Sequence, residues 1–222
     1  MLMSGRAGPN NLSLPKVQTA SKLGKPSCHE EGHCDDLTVD LQDQGLTSEA
    51  SSKGALQRYP KARSMQLSFN SISTLHGWKP NCLRELVITS NKLESCLCMH
   101  MFAQLEVLDM SRNVLQRLDG LSNLPKLRQL KVRANRITSL SGLGRLTSVT
   151  FLDASCNQLG NLSGLTACTA LCELSANSNK LTSLKGLHRC GSLRELQVGT
   201  GHTQAFKILM ELLVCVWLTT KP

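Results

Sequence analysis

Leu127-Arg-Gln-Leu-Lys-Val-Arg-Ala-Asn-Arg-Ile137 is answered 22 residues later by Val149-Thr-Phe-Leu-Asp-Ala-Ser-Cys-Asn-Gln-Leu159, and again by Leu171-Cys-Glu-Leu-Ser-Ala-Asn-Ser-Asn-Lys-Leu181. Each copy carries apolar residues at frame positions one, four, six and eleven, and asparagine at nine. The frame extends upstream through Leu105–Leu115, Leu83–Leu93 and a weaker copy with Met65, Leu67 and Ile72. Asparagines therefore stand at 70, 91, 113, 135, 157 and 179. Alternation at positions four and six is the period-two signature of a short strand. After each asparagine the apolar residues recur every third position, as in Ile137, Leu140, Leu143, Leu146 and Val149. That spacing suits 3₁₀-like turns better than an α-helix. One unit is a strand, a tight turn and a compact return. No unit buries its leucine face alone, so stacking must supply the core, at roughly 1.5–3 kcal/mol per fully buried aliphatic side chain.

The pattern resembles the leucine-rich repeat family in its short 22-residue class, over about residues 62–198. That class is typified by a regulatory subunit of protein phosphatase 1 and by many ciliary and centrosomal proteins. The resemblance implies an α/β fold: a leucine-rich repeat solenoid curved like a horseshoe, with a parallel β-sheet on its concave face and a convex side rich in 3₁₀ turns. It also implies that Asn70, Asn91, Asn113, Asn135, Asn157 and Asn179 form a ladder of hydrogen bonds to the backbone of neighbouring turns.

Both ends depart from the frame. Leu37-Thr-Val-Asp-Leu-Gln-Asp-Gln-Gly-Leu46 reads as a degenerate first repeat, with Gln44 where asparagine would stand. The expected organisation is a disordered tail over 1–36, a repeat domain over 37–201 with an irregular cap at 37–61 and repeats over 62–201, and an apolar cap or tail over 202–222. Leu193, Leu196 and Val198 open a further strand, but Gly201 replaces the asparagine. The run Phe206 to Leu218 fits no repeat; it reads either as a capping helix or as the tail of a shortened chain.

Composition narrows the function classes. Aromatic residues make up only 3% of the 222 residues, which weighs against the stacked rings of a single-stranded nucleic-acid platform. Met1 to Lys16 lacks a signal-peptide core, and Phe206 to Leu218 is too short for a membrane span and carries Lys207 and Glu211. A cytoplasmic chain is expected, with nucleus, cilium or centrosome as alternatives, and its ten cysteines are expected to be thiols. Charges cancel over residues 1–36, so the net charge of +9 lies beyond them. Arg112 to Arg145 holds eight basic residues against Asp119 alone, a band that suits an acidic partner.

Motifs suggestive of chemistry are weak. His29-Glu-Glu-Gly-His33 matches a zinc-protease pattern, but Gly32 opposes a helix and no third ligand is near. Chance in a tail is the better reading, with incidental zinc capture beside Cys28 and Cys34 as the alternative. Cys96, Cys168 and Cys190 fall in slots that leucine holds in other repeats, so they read as small core residues rather than a redox or metal set. Gly199-Thr-Gly201 lacks the third glycine of a dinucleotide loop. His76, His100, His188 and His202 are scattered. No catalytic constellation, metal site or cofactor is expected.

A partner has a better claim. If positions four and six point inward, positions three, five and seven point to the concave solvent side. That face then offers Val87, Val107 and Phe151 as apolar groups and Asp109, Lys131, Arg133, Asp153 and Glu173 as charges. An apolar anchor beside charges is what an interface hot spot needs, although a β-favouring Phe on a wetted sheet would look the same. The expected function is a non-enzymatic scaffold or regulatory adaptor. It would be a monomer, off the membrane, binding a protein with an acidic element. The alternative is a salt-sensitive binder of nucleic acid or acidic protein tails through residues 112–145. Phosphatase 1 is one member of the partner class, without an Arg/Lys-Val-x-Phe docking sequence in the tail to support it.

Overall fold

A computed structural model describes residues 38–48, 56, 59–78 and 80–199. The expectations for residues 1–36, for the His29–His33 motif and for Phe206 to Leu218 lie outside the described residues. Eight strands of three residues each form one parallel sheet in sequence order: β1 Thr38–Asp40, β2 Ser64–Gln66, β3 Glu85–Val87, β4 Val107–Asp109, β5 Gln129–Lys131, β6 Phe151–Asp153, β7 Glu173–Ser175 and β8 Glu195–Gln197. Register matches the sequence frame throughout; Leu108 pairs with Leu130, and Leu130 with Leu152. Each strand spans frame positions three to five. The residues at positions four and six of β1 to β7, from Val39 and Leu41 to Leu174 and Ala176, are buried in one continuous core.

The strands are short because the chain turns at position eight. Asp43, Phe69, Ser90, Arg112, Ala134, Cys156 and Ser178 all sit in the left-handed region, with φ between 53° and 57°. No glycine occupies this position, although a side chain there costs roughly 1–2 kcal/mol. The turn is held from both sides. Its N–H donates to the next repeat, as Arg112 N does to the Arg133 carbonyl at 2.7 Å. The asparagine that follows bonds the repeat before. Asn135 Oδ1 accepts from Leu115 N at 3.0 Å, and its Nδ2 donates to the Met110 and Val132 carbonyls, each at 3.0 Å. Asn157 does the same for Ile137 N and the Val132 and Ala154 carbonyls. Asn70 reaches into the first coil, where its Oδ1 accepts from both Gln44 N and Leu46 N. The Gln44 side chain itself stays exposed and donates to the Gln42 carbonyl.

The return path is built from 3₁₀ turns at Leu97–Met101, Leu121–Asn123, Ser141–Leu143, Ser163–Leu165 and Leu187–Arg189. Position thirteen starts several of them by accepting from the backbone two residues on. Ser95, Ser139 and Ser183 do so through Oγ, and Asn161 through Oδ1. Three residues later comes glycine, at 120, 142, 164 and 186. A Cβ on Gly120 would lie 2.5 Å from the Cys96 carbonyl oxygen, and one on Gly142 or Gly164 would overlap the backbone of Leu118 or Leu140. These glycines let successive coils touch backbone to backbone. In the repeat beginning at Leu83 that position is Cys98, and there a shallow cleft opens between coils, lined by Thr74, His76, Glu94, Leu97 and Cys98.

The seventh position differs from the expectation. Ser68 and Ser155 are buried, at 4% and 1% exposure, while Arg133 is exposed. The strands stop at position five, so alternation does not carry to seven, and a two-atom side chain beside the turn does not reach solvent.

Two substitutions test this architecture. Asn135→Ala leaves one buried N–H and the carbonyls around it short of partners, and should cost about 3 kcal/mol by urea unfolding. Gly164→Ala should cost at least about 2 kcal/mol, because its methyl meets backbone that has no rotamer to yield. A loss below about 0.5 kcal/mol in either, within the range of an ordinary surface change, would reject the role assigned to that residue.

Candidate partner-binding face

Register sets the order of side chains on the solvent face of the sheet. Along position three, Glu85, Val107, Gln129, Phe151 and Glu173 are successive neighbours. Along position five the order is Val87, Asp109, Lys131, Asp153 and Ser175. Lys131 therefore stands between two aspartates on the adjoining strands. Both aspartates are held by their own turns: Asp109 Oδ1 accepts from Ser111 N and Asp153 Oδ1 from Ser155 N, each at 3.0 Å. Neither Lys131 nor Arg133 forms an ion pair among the described residues. Val87, Val107 and Phe151 are half-buried, and Arg133 and Glu173 are exposed. On β7 and β8, Glu173 and Glu195 are paired in register. Like charges there oppose each other across one strand spacing of about 4.8 Å.

The basic band does not form one patch. Lys131 and Arg133 lie on the face. Arg112 and Arg136 follow the strands, and Lys126 and Arg128 precede them, so the two pairs fall on opposite rims of the sheet. Arg117 lies on the return path and is paired with Asp119 at 2.7 Å, and Lys126 donates to Gln104 Oε1 at 2.6 Å. Of the band, Arg112 and Arg133 lie side by side through a backbone hydrogen bond, with Lys131 and Arg136 on the same repeat as Arg133.

Sequence reasoning missed two exposed apolar side chains. Phe69 is 53% exposed at the left-handed position that precedes Asn70, and Leu97 is 59% exposed at the cleft beside Cys98. Phe69 occupies a frame position without a hydrophobic pattern, so only knowledge of the turn brings it to the rim. Leu97 could have been found from the gap in the 22-residue glycine series.

Among the described residues there is no group of three His, Cys, Asp or Glu side chains that could hold a metal. Nor is any helix there long and apolar enough to cross a membrane. The seven described cysteines are free. Burial pushes the Cys96 thiol up to about 12, with the neighbouring Cys98 and Asp119 adding to the effect. Burial, then Cys190, pushes Cys168 up to about 12. Burial also raises Cys98 and Cys190.

Residues 81–137 match the family described as Leucine rich repeat. Eight parallel strands in one frame agree with that match. The fold is that of a leucine-rich repeat solenoid. It is similar to that of internalin C2 from Listeria monocytogenes, with a TM-score of 0.64 and 24% identity over 74% of each chain. It is similar also to the Listeria monocytogenes internalin InlF, with a TM-score of 0.61 and 22% identity over 75% of this chain and 51% of that one. A third similar fold is TLR13 in its complex with ssRNA13, with a TM-score of 0.61 and 19% identity, covering 78% of this chain and 27% of that one. The chain thus spans about half the length of InlF and about a quarter of TLR13. No curated protein matches its sequence.

The cysteines yield a prediction. In the folded chain at pH 8, an alkylating reagent should label the half-exposed Cys82, Cys156 and Cys172 and spare Cys96 and Cys168, as read by mass spectrometry. Unfolding should make all of them reactive. Folded thiols with raised pKa values stay protonated where unfolded ones ionise. Stability should therefore fall as pH rises from about 9 toward 12. Labelling of Cys96 in the folded chain at the rate of Cys156 would contradict the buried assignment.

Proposed function

We propose that the protein is a non-enzymatic interaction scaffold or regulatory adaptor that holds a protein partner on the solvent face of its sheet, between β3 and β7. Leucine-rich repeats are in general interaction modules rather than catalysts, and the concave face is the one the horseshoe form offers to a partner. The observation that carries the reading is the row Asp109, Lys131, Asp153 beside Val107 and Phe151. Both aspartates are committed to backbone N–H groups, and Lys131 and Arg133 have no ion-pair partner among the described residues. A partner carboxylate can therefore meet the two cations without breaking an ion pair already made.

Phe151 supplies the apolar anchor. A ring mounted on a sheet loses little conformational freedom on binding, so its contact is not offset by much ordering cost. Val87 and Val107 extend the apolar contact toward β3, and Glu173 bounds it on the other side. Cytoplasmic residence fits the free thiols of the seven described cysteines. A monomer fits a face whose use is to receive a different molecule.

A second reading rests on the backbone hydrogen bond that sets Arg112 beside Arg133, at 2.7 Å. With Lys131 and Arg136 they make a cationic rim for nucleic acid or an acidic tail, and the ssRNA13 complex of TLR13 is a leucine-rich repeat neighbour with such a ligand. Binding of that kind falls steeply with salt.

Affinity capture at low and high salt separates the two, with Phe151→Ala alone and with Lys131→Glu and Arg133→Glu added. On the favoured reading a protein partner survives high salt. Phe151→Ala weakens it by about 2 kcal/mol, roughly thirtyfold, and the triple variant loses it. Capture that washes off with salt and ignores Phe151 would transfer the function to the rim. Equal binding by wild type and triple variant would remove both readings.

A further inference from the structure

The two ends of the solenoid are finished differently. At the first strand, Val39 and Leu41 are 1% and 2% exposed. At the last, Leu193, Leu196 and Val198 occupy the corresponding inward positions but are only half-buried, while their counterparts one repeat earlier, Leu171, Leu174 and Ala176, are fully buried. Leu187 on the return path is half-buried as well. Among the described residues β8 pairs with β7 alone. Among them, too, the apolar interior runs out to an open end face, with Gly199 on its rim.

We propose that this end face is a docking surface for the chain's own segment Phe206–Leu218. The two are directly continuous. From Gly199 to Phe206 an extended chain reaches roughly 23 Å, enough to turn back across the end of the solenoid. Eleven of the thirteen residues of the segment are apolar, and Lys207 and Glu211, at i and i+4, fall together on one side, so a helix there would be apolar nearly all round, the pattern of a buried helix. Thirteen residues in a helix measure about 20 Å, long enough to lie across the last coil from sheet to return path. A repeat cannot bury its leucine face without a neighbour, and here the neighbour is a segment whose frame departs from the repeat. The competing occupant is a second copy of the chain, end to end.

The chain carries its own probe. Its two tryptophans are Trp78, buried against Phe102 with an indole N–H that has no hydrogen-bond partner among the described residues, and Trp217 in the segment. Trp78→Phe in the full chain leaves Trp217 as the single reporter. In that background Trp217 emission should be blue-shifted, and its quenching by acrylamide several-fold weaker than in urea, in a chain that sediments as a monomer. Leu193→Glu on the end face should restore several-fold stronger quenching, while hydrogen exchange over 127–176 stays slow. Lys207→Glu should change nothing.

Because Leu193→Glu also acts on the last coil itself, Met210→Glu is the companion variant. It leaves the solenoid untouched and should expose Trp217 equally. Three results overturn the proposal. One is quenching of Trp217 in the folded chain equal to that in urea. Another is protection of Trp217 that neither Leu193→Glu nor Met210→Glu removes. The third is protection that grows with protein concentration alongside a dimer, which would give the face to a second copy.

Discussion

A backbone turn buried in a protein has to find partners for its N–H and C=O groups, and here one amide side chain per coil does so. The asparagine at position nine both donates and accepts, and it does so toward the repeat before it as well as within its own turn. Neither a carboxylate nor a lysine could serve, since each offers only half of that chemistry. Replacing either half leaves buried groups whose desolvation costs more than the bond itself is worth. The left-handed residue before it is the geometric counterpart: it ends the strand, turns the asparagine inward and accepts a strained conformation at every coil. That strain is tolerated because hydrogen bonds to both neighbouring repeats over-determine the turn.

The close stacking follows from a second constraint on the far side of each coil. Glycine at position sixteen permits backbone contact with the coil before, so the leucines between are packed without gaps. Where Cys98 replaces it, the contact loosens and the cleft opens beside Leu97. The cysteines fit the same picture. Cys96, Cys168 and Cys190 lie in leucine slots of the core, and their raised pKa values follow from burial rather than from any reactive arrangement.

The candidate face depends on register more than on composition. Val107 and Phe151 are 44 residues apart in sequence, yet they stand in one row with Gln129 between them because each repeat advances the chain by 22 residues. That row was legible, since a parallel sheet in a fixed frame repeats its side-chain order. What was not legible is how the aspartates are used. In sequence Asp109 and Asp153 are two more charges on the face, and the structure has each accepting a backbone hydrogen bond. Nor did the run of positive charge from Arg112 to Arg145 reveal that a coil of 22 residues wraps it around the molecule and divides it between face, rims and return path.

By itself the sequence determined the repeat length, the inward residues of every coil, the strand positions and the asparagines, because periodicity is a local property that each repeat states again. Tertiary structure alone decided what depends on two repeats at once. It buried Ser68 and Ser155 where the pattern promised exposure, put Phe69 on the rim in a left-handed turn, and left the inward residues of β8 only half-buried. The physical reason is that burial and hydrogen bonding are set by the neighbouring coil, and a frame read along the chain says which residues recur without saying what lies against them.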